Sequence, residues 1–286
     1  MTADTVSTGG IRTVRRSPAR TGRARLAVTD GSSLFWRIAA PLLALTGLLV
    51  VWQLAVDLGG VDPKTLPSPL RVATSGWAAR DQIVEAAGAT LQITLSGLLV
   101  AVAASIVTAT LLSFIAPLRQ TFLPLLIAAQ SVPIIVLAPL FIIWFGFDAG
   151  PKIVLVGIVS MLPLTISMLH GLLSADPDAA ALMRSMGASK WRIFLSLRVP
   201  TALPGAITGL RIMTSFIVVA AIFSEYVGAR SGLGIFMQTQ KNLYRTDLVF
   251  SAVVVSIAIG LTLFALTYVL EWLVLPWERR RKAAQR

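Results

Sequence analysis

The sequence predicts an all-α protein embedded in a membrane, and three observations lead there. Of 286 residues, 56% are hydrophobic and only 13% charged, with a mean hydropathy of +0.79. A soluble domain carries about 25% charged residues, so too few polar side chains remain to cover a water-facing surface. The charges are also unevenly spread, leaving long intervals with none. Finally, 25 Lys and Arg outnumber 13 Asp and Glu, a net charge of +12. Such an excess suggests a nucleic acid or an anionic surface as partner until its placement is known. The absence of Cys excludes a disulfide framework, thiol catalysis and cysteine-based metal sites.

A bilayer core of about 30 Å takes about 20 helical residues. Ile38–Val56, Ala86–Leu118, Gln120–Phe147, Ile153–Ala175 and Leu248–Leu270 contain no Asp, Glu, Lys or Arg. Pro204–Val227 is apolar apart from Arg211 and Glu225, which lie toward its ends, where a long side chain snorkels to the interface. The spans are therefore placed at residues 35–57, 88–116, 120–146, 152–174, 205–227 and 248–275, within a transmembrane region 34–278.

Between the spans, Gly59-Gly60-Val61-Asp62-Pro63 and Leu66-Pro67-Ser68-Pro69 read as a rigid turn region that does not continue a helix. Trp77–Ala87 reads as a short helix at the membrane surface. Phe145–Pro151 is a tight turn, and Gly228–Thr246 a longer polar crossing. Pro133, Pro139 and Pro163 are expected to kink the third and fourth spans. Residues 1–33 alternate six Arg with Thr, Ser, Gly, Ala and Pro18, and are expected to form a disordered basic arm. Arg15-Arg16 superficially resembles a twin-arginine signal, but the apolar segment after it is too long, so it reads as a retained span. Residues 279–286 form a basic tail.

With the arm in the cytoplasm and six alternating spans, 18 basic residues fall on the cytoplasmic side and 7 on the other. The acids divide 6 and 7, so the whole net charge lies inside. The positive-inside bias favours this orientation, with both termini cytoplasmic. The basic excess thus reads as a topology signal that meets membrane lipid, with no nucleic-acid partner.

One loop on the cytoplasmic side is more than a connector. Ser174–Pro204 reads SADPDAAALMRSMGASKWRIFLSLRVPTALP. Asp176 is placed as an N-cap with Pro177 at the first helical position. Gly187 breaks the run, Ser189 caps a second short helix through Arg198, and Pro200 and Pro204 close it. Large apolar side chains beside water (Met183, Met186, Trp191, Ile193, Phe194) invite a partner protein.

This loop resembles that of the membrane-spanning permease subunit of a binding-protein-dependent ABC importer. There the pattern is EAA, three residues, Gly, nine residues, then Ile-x-Leu-Pro. Counted from Gly187, Ala181-Leu182-Met183 occupy the EAA positions and Leu197-Arg198-Val199-Pro200 the last four. The Gly and Pro match at that spacing; Ala181 stands where the pattern has Glu, and Asp178, one turn earlier, is the nearby acid. Leu66-Pro67-Ser68-Pro69, Ala138-Pro139-Leu140, Trp144-Phe145-Gly146-Phe147, Glu225-Tyr226-Val227-Gly228 and Gly232-Leu233-Gly234 resemble the nitrate/sulfonate/taurine-type branch. That branch includes permeases for pyrimidine thiamine precursors and riboflavin. Gln130-Ser131-Val132-Pro133 and Met183–Ser189 are closest in wording to the thiamine-precursor permeases.

The resemblance implies a six-helix type I permease with cytoplasmic coupling helices in a bacterial inner or plasma membrane. Two such subunits, expected to be identical, would form the pathway, fed by an extracytoplasmic binding protein. A dimer of ABC ATPase subunits would dock on the loop, meeting Asp178, Ala181, Met183, Arg184, Gly187, Ala188, Trp191 and Pro200. The chain has no G-x-x-x-x-G-K-[ST] phosphate loop, so ATP and Mg would be bound by the ATPase, with no cofactor here.

Gln92, Gln130, Ser131, Thr165, Ser167, Thr214, Ser215, Ser224 and Glu225 are the polar groups within spans, and such groups avoid lipid. Each Ser or Thr reads first as a hydroxyl bonded to its own or a neighbouring helix. The two Gln residues are harder to satisfy locally, so pathway and structural roles both stand. Glu225 reads either as a substrate contact or as an outer-interface group that pairs with Arg230 or caps a turn. His170, the one His, has no metal partner in the sequence. An integral-membrane enzyme is disfavoured by the lack of a catalytic cluster. An ion-coupled transporter is disfavoured because Glu225 alone could titrate within a span.

Overall fold

The computed structural model describes residues 32–226 and 228–277, and no strand occurs among them. The expected arm, apart from Ser32 and Ser33, the expected tail 279–286, and Val227 lie outside the described residues. The chain divides into two units within its first helix, α1 (Ser32–Gly59), between Leu49 and Val50. The second unit contains α2 (Pro69–Ala78), α3 (Arg80–Phe114), α4 (Ala116–Ala129), α5 (Ile134–Phe145), α6 (Ala149–Ser160), α7 (Leu162–Leu173), α8 (Pro177–Ser185), α9 (Lys190–Ile193), α10 (Val199–Glu225), α11 (Leu233–Asn242) and α12 (Thr246–Val274).

Four stretches are long and apolar enough to cross a membrane singly: Ala39–Gly59, Arg80–Phe114, Lys190–Glu225 and Thr246–Val274. The expected third span is instead broken. Helices α4 and α5 meet at 100°, and at about 21 and 18 Å neither crosses alone. Pro133 supplies no N–H and disfavours helical geometry in Val132 before it. The amides of Gln130, Ser131 and Val132 accordingly fall back to carbonyls three residues earlier. The expected fourth span bends by 44° at Met161, two residues before Pro163. Pro139, by contrast, is carried inside α5.

Four further expectations need correction. No short surface helix covers 77–87; the break falls at Ala79, so those residues divide between α2 and a longer α3. Leu66-Pro67-Ser68-Pro69 starts a helix: Ser68 Oγ accepts the Arg71 N–H at 3.3 Å, and Pro69 sits at the first helical position. Pro200 and Pro204 do not close the second loop helix, since Lys190–Glu225 runs through both. A π-helical turn at Phe194–Arg198 displaces the α-type bonding just before Pro200; the Val199 N–H reaches back to Phe194 O. The crossing from Gly228 to Thr246 is likewise not all polar loop, because it contains α11 with Leu233 and Met237 buried.

Helix α10 is the hub of the second unit, packed on α3, α6, α7 and α12. Against α7 the backbones approach across small residues. A Cβ added at Gly171 would lie 2.6 Å from Ala202 Cα, and one at Gly209 2.8 Å from Leu164 Cα. Close approach of this kind is how helices gain packing contact in lipid, where no water is released between them. Ile93, Val156, Ile217, Ala221 and Leu263 form one core around the hub. Arg211 does not snorkel freely: it pairs with Glu271 of α12 at 2.5 Å, and its guanidinium lies 3.8 Å from the Tyr268 ring centroid.

Candidate functional site

The loop ahead of α10 is built as the sequence indicates. Asp176 Oδ1 accepts the Asp178 N–H at 2.9 Å and starts α8 behind Pro177. The helix ends in a Schellman arrangement: Ala188 N–H donates to Met183 O and Gly187 N–H to Arg184 O, both at 2.9 Å. Gly187 lies at φ +84°, the left-handed region that glycine enters without a Cβ penalty. Ser189 Oγ then caps α9 through the Arg192 N–H at 3.2 Å.

The anchoring of this loop is one-sided. Ile193 and Phe194 are buried, Phe194 against Ala109, Leu112, Leu169 and Leu172. Leu182, Met186 and Trp191 are 63%, 79% and 57% exposed. Asp178, Ala181, Arg184, Gly187 and Pro200 are also exposed, while Met183 and Ala188 are half-buried. Trp191 stacks on Phe194 at 5.3 Å between centroids, so the outward apolar face rests on a fixed aromatic support. Arg184, Lys190 and Arg192 of the same loop are exposed as well.

At the other end of α10 sits a buried polar knot. Glu225 has no exposed surface; its Oε2 accepts from Thr90 Oγ1 at 3.0 Å and from the Gly234 N–H at 2.8 Å. Thr90 Oγ1 in turn accepts the Leu233 N–H at 2.7 Å. The carboxylate and the threonine thus satisfy amides at the start of α11 and tie it to α3 and α10. The expected pairing with Arg230 is not formed, and Arg230 is exposed. The turn-capping alternative is what the structure holds. Gly232, at φ +132°, has no room for a side chain: a Cβ there would lie 2.5 Å from Glu225 Oε2. A Cβ at Gly234 would collide with the Ile222 carbonyl. The Gly232-Leu233-Gly234 motif is therefore the mould for Glu225. Lys152, at the start of the expected fourth span, is 5% exposed and donates to Phe147 O at 3.1 Å and Gly228 O at 3.4 Å. Its charge lies close enough to Glu225 to interact with it.

The remaining polar groups divide. Thr165 donates to Met161 O at 2.9 Å, Thr214 to Arg211 O at 2.9 Å, and Ser215 to Arg211 O at 3.1 Å. All three bond within their own segment, as a hydroxyl in an apolar helix does. Gln92 is exposed on α3. Gln130 and Ser131 lie in the α4–α5 break, and Gln130 borders a cavity of about 610 Å³. Its other walls are the α6–α7 bend and Ile212, Phe216, Val219 and Ala220, midway along α10. Ser160 also borders it, and sequence reasoning missed this residue. The signal was present: a serine three residues before a proline in an apolar span marks a place where helical bonding is interrupted.

An all-helical fold with long apolar helices, two broken spans, a cavity at the breaks and one exposed helical loop is the architecture of a multi-pass membrane permease. The family described as binding-protein-dependent transport system inner membrane component matches residues 101–281, and the chain belongs to that family. The resemblance carried by the loop and branch motifs is thereby borne out. The chain is 31% identical over 242 residues to the formylaminopyrimidine transport permease protein ThiX of Halalkalibacterium halodurans, covering 84% of this chain and 96% of that one. It is 29% identical to the putative aliphatic sulfonates transport permease protein SsuC of Escherichia coli, covering 83% and 91%. Among solved structures, a chain of an amino acid ABC transporter crystallised with histidines superposes with a TM-score of 0.57 at 16% identity. It covers 70% of this chain and 98% of that one, a likeness of fold.

Proposed function

We propose that this permease is the pathway-forming subunit of an ATP-driven importer for a small organic solute, of the class named for its pyrimidine- or sulfonate-transporting relatives. Two copies form the pathway in a bacterial inner or plasma membrane, with both termini cytoplasmic. An extracytoplasmic binding protein delivers the solute, and an ATPase dimer, which holds the ATP and Mg, docks on the loop around Gly187. The observation that carries this reading is the exposure of Leu182, Met186 and Trp191 on a loop that also exposes Arg184, Lys190 and Arg192. Exposed apolar and basic side chains on a short, capped helix suit a groove in an acidic-edged protein partner. Glu225 has a structural use that needs no ion coupling, since its Oε2 holds Thr90 and the Gly234 amide.

The test is reconstitution with the cognate ATPase and binding protein in proteoliposomes. The reading expects solute uptake that needs all three proteins and hydrolysable ATP. Uptake by the permease alone, driven by an ion gradient, would overturn it.

A further inference from the structure

A pocket of about 210 Å³ lies where the last turn of α7, the helix α8 and the π-helical turn before α10 come together. Leu172, Leu173, Pro177 and Ala180 line it, together with Arg184 and Arg198. Two arginines thus border one small concavity, and no acid among the described residues does. Neither makes a salt bridge among the described residues. Asp176, beside the pocket in sequence, caps α8 through the Asp178 N–H. Arg211, further along α10, is by contrast answered within the chain by Glu271 and Tyr268. Like charges that share a recess repel, and an anion between them removes the repulsion.

The depth of the pocket follows from helix register. Close contacts pair Gly171 with Ala202, Gly205 with Ser167 and Gly209 with Leu164, so α7 and α10 run antiparallel. Arg198 lies about 6 Å beyond the Gly171–Ala202 contact, level with the end of α7. The apolar runs of both helices stop there: Asp176 and Asp178 follow α7, while Lys190, Arg192 and Arg198 precede α10. That is the headgroup level of a bilayer. Leu173, 42% exposed, offers apolar surface to an acyl chain beside the two arginines. The planar fork of Arg matches phosphate oxygens, and basic pockets between spans suit anionic headgroups. Leu172 and Leu173 belong to the last turn of α7, where carbonyls lack amide partners and accept from hydroxyls. A protein carboxylate would approach from the water side, past the headgroups.

We propose that this pocket seats the phosphate of an anionic phospholipid with a hydroxyl-bearing headgroup, and so fixes the root of the loop to the bilayer. Leu182, Met186 and Trp191 do not line it, so the lipid leaves those side chains free.

The experiment is native mass spectrometry of the full-length permease in mild detergent, titrated with phosphatidylglycerol or phosphatidylcholine. One phosphatidylglycerol per chain should bind about tenfold more tightly than phosphatidylcholine. Arg198→Gln and Arg184→Gln should each weaken that first site about tenfold. Arg198→Lys keeps the charge without the fork and should weaken it about threefold. Arg119→Gln removes a half-buried charge outside the pocket and should leave the site unchanged. Equal affinity for the two lipids, or indifference to both Gln variants, overturns the proposal. An equal loss in Arg119→Gln overturns it as well, since general charge attraction then accounts for binding. So does displacement by glycerol phosphate at matching concentration, which marks a site for a soluble phosphate ester. Displacement by the cognate ATPase, which marks a site for a protein acid, has the same consequence.

Discussion

At its C-terminal end α10 is held by a carboxylate with no exposed surface, while the segment leading into its other end presents Met186 and Trp191 largely to solvent. The two ends are about 40 Å apart by helical rise. Both contain a glycine at positive φ, yet the glycines do different work. Gly232 is fixed by lack of space, because the Glu225 carboxylate occupies the place of its side chain. Gly187 has nothing within 4 Å of an added Cβ, so backbone geometry alone asks for glycine. One end is built to hold and the other to be touched.

Substitutions separate the two ends, and the largest effect belongs to Gly232→Ala. The added methyl must displace a buried carboxylate and hold a φ that alanine disfavours. A loss of about 3–5 kcal/mol is expected, seen as a large fall in the thermal-unfolding midpoint in detergent. Glu225→Ala comes next, at about 3 kcal/mol, because it strands the Gly234 amide and the Thr90 hydroxyl and opens a cavity. Glu225→Gln keeps the shape and one acceptor oxygen, and should cost clearly less than Glu225→Ala in the same assay. Equal losses for the two would mean that charge, and not hydrogen-bond geometry, holds the knot.

The loop end should respond more mildly. Gly187→Ala is expected to cost about 1 kcal/mol, since only the left-handed backbone is strained. Gly187→Asp should fold and insert with a comparable loss but fail to co-purify with the ATPase. Ser189→Ala removes the α9 cap and should cost about 1 kcal/mol or less, detectable as faster amide exchange at Trp191 and Arg192. A large drop in midpoint from either loop substitution would contradict the contrast between the ends.

Much of this was legible in the chain. Charge-free intervals located the apolar segments because a bilayer excludes ions whatever the path of the backbone. Asp176-Pro177 and Gly187 announced their cap and break because those signals act within four residues. The 100° turn at Gln130–Val132 was not legible, because hydropathy records composition and not direction, and proline in a membrane helix only sometimes breaks it. Ser68-Pro69 was a helix start hidden among turn residues. The partners of Glu225 lay beyond local reading, as Thr90 is 135 residues away. Even so, Gly232 and Gly234 were visible as a motif before their steric purpose was. Ser160 looked like any serine in an apolar helix, and its unpartnered hydroxyl shows only in three dimensions.

The claim on which the account turns is that the loop face is a docking surface and not a structural element. Met186→Asp tests it most directly, because a side chain 79% exposed contributes little to folding. The measurement is the amount of cognate ATPase retained on the purified permease, with the thermal midpoint taken on the same sample. The account predicts an unchanged midpoint and at least a tenfold loss of retained ATPase. Full retention at an unchanged midpoint would contradict it.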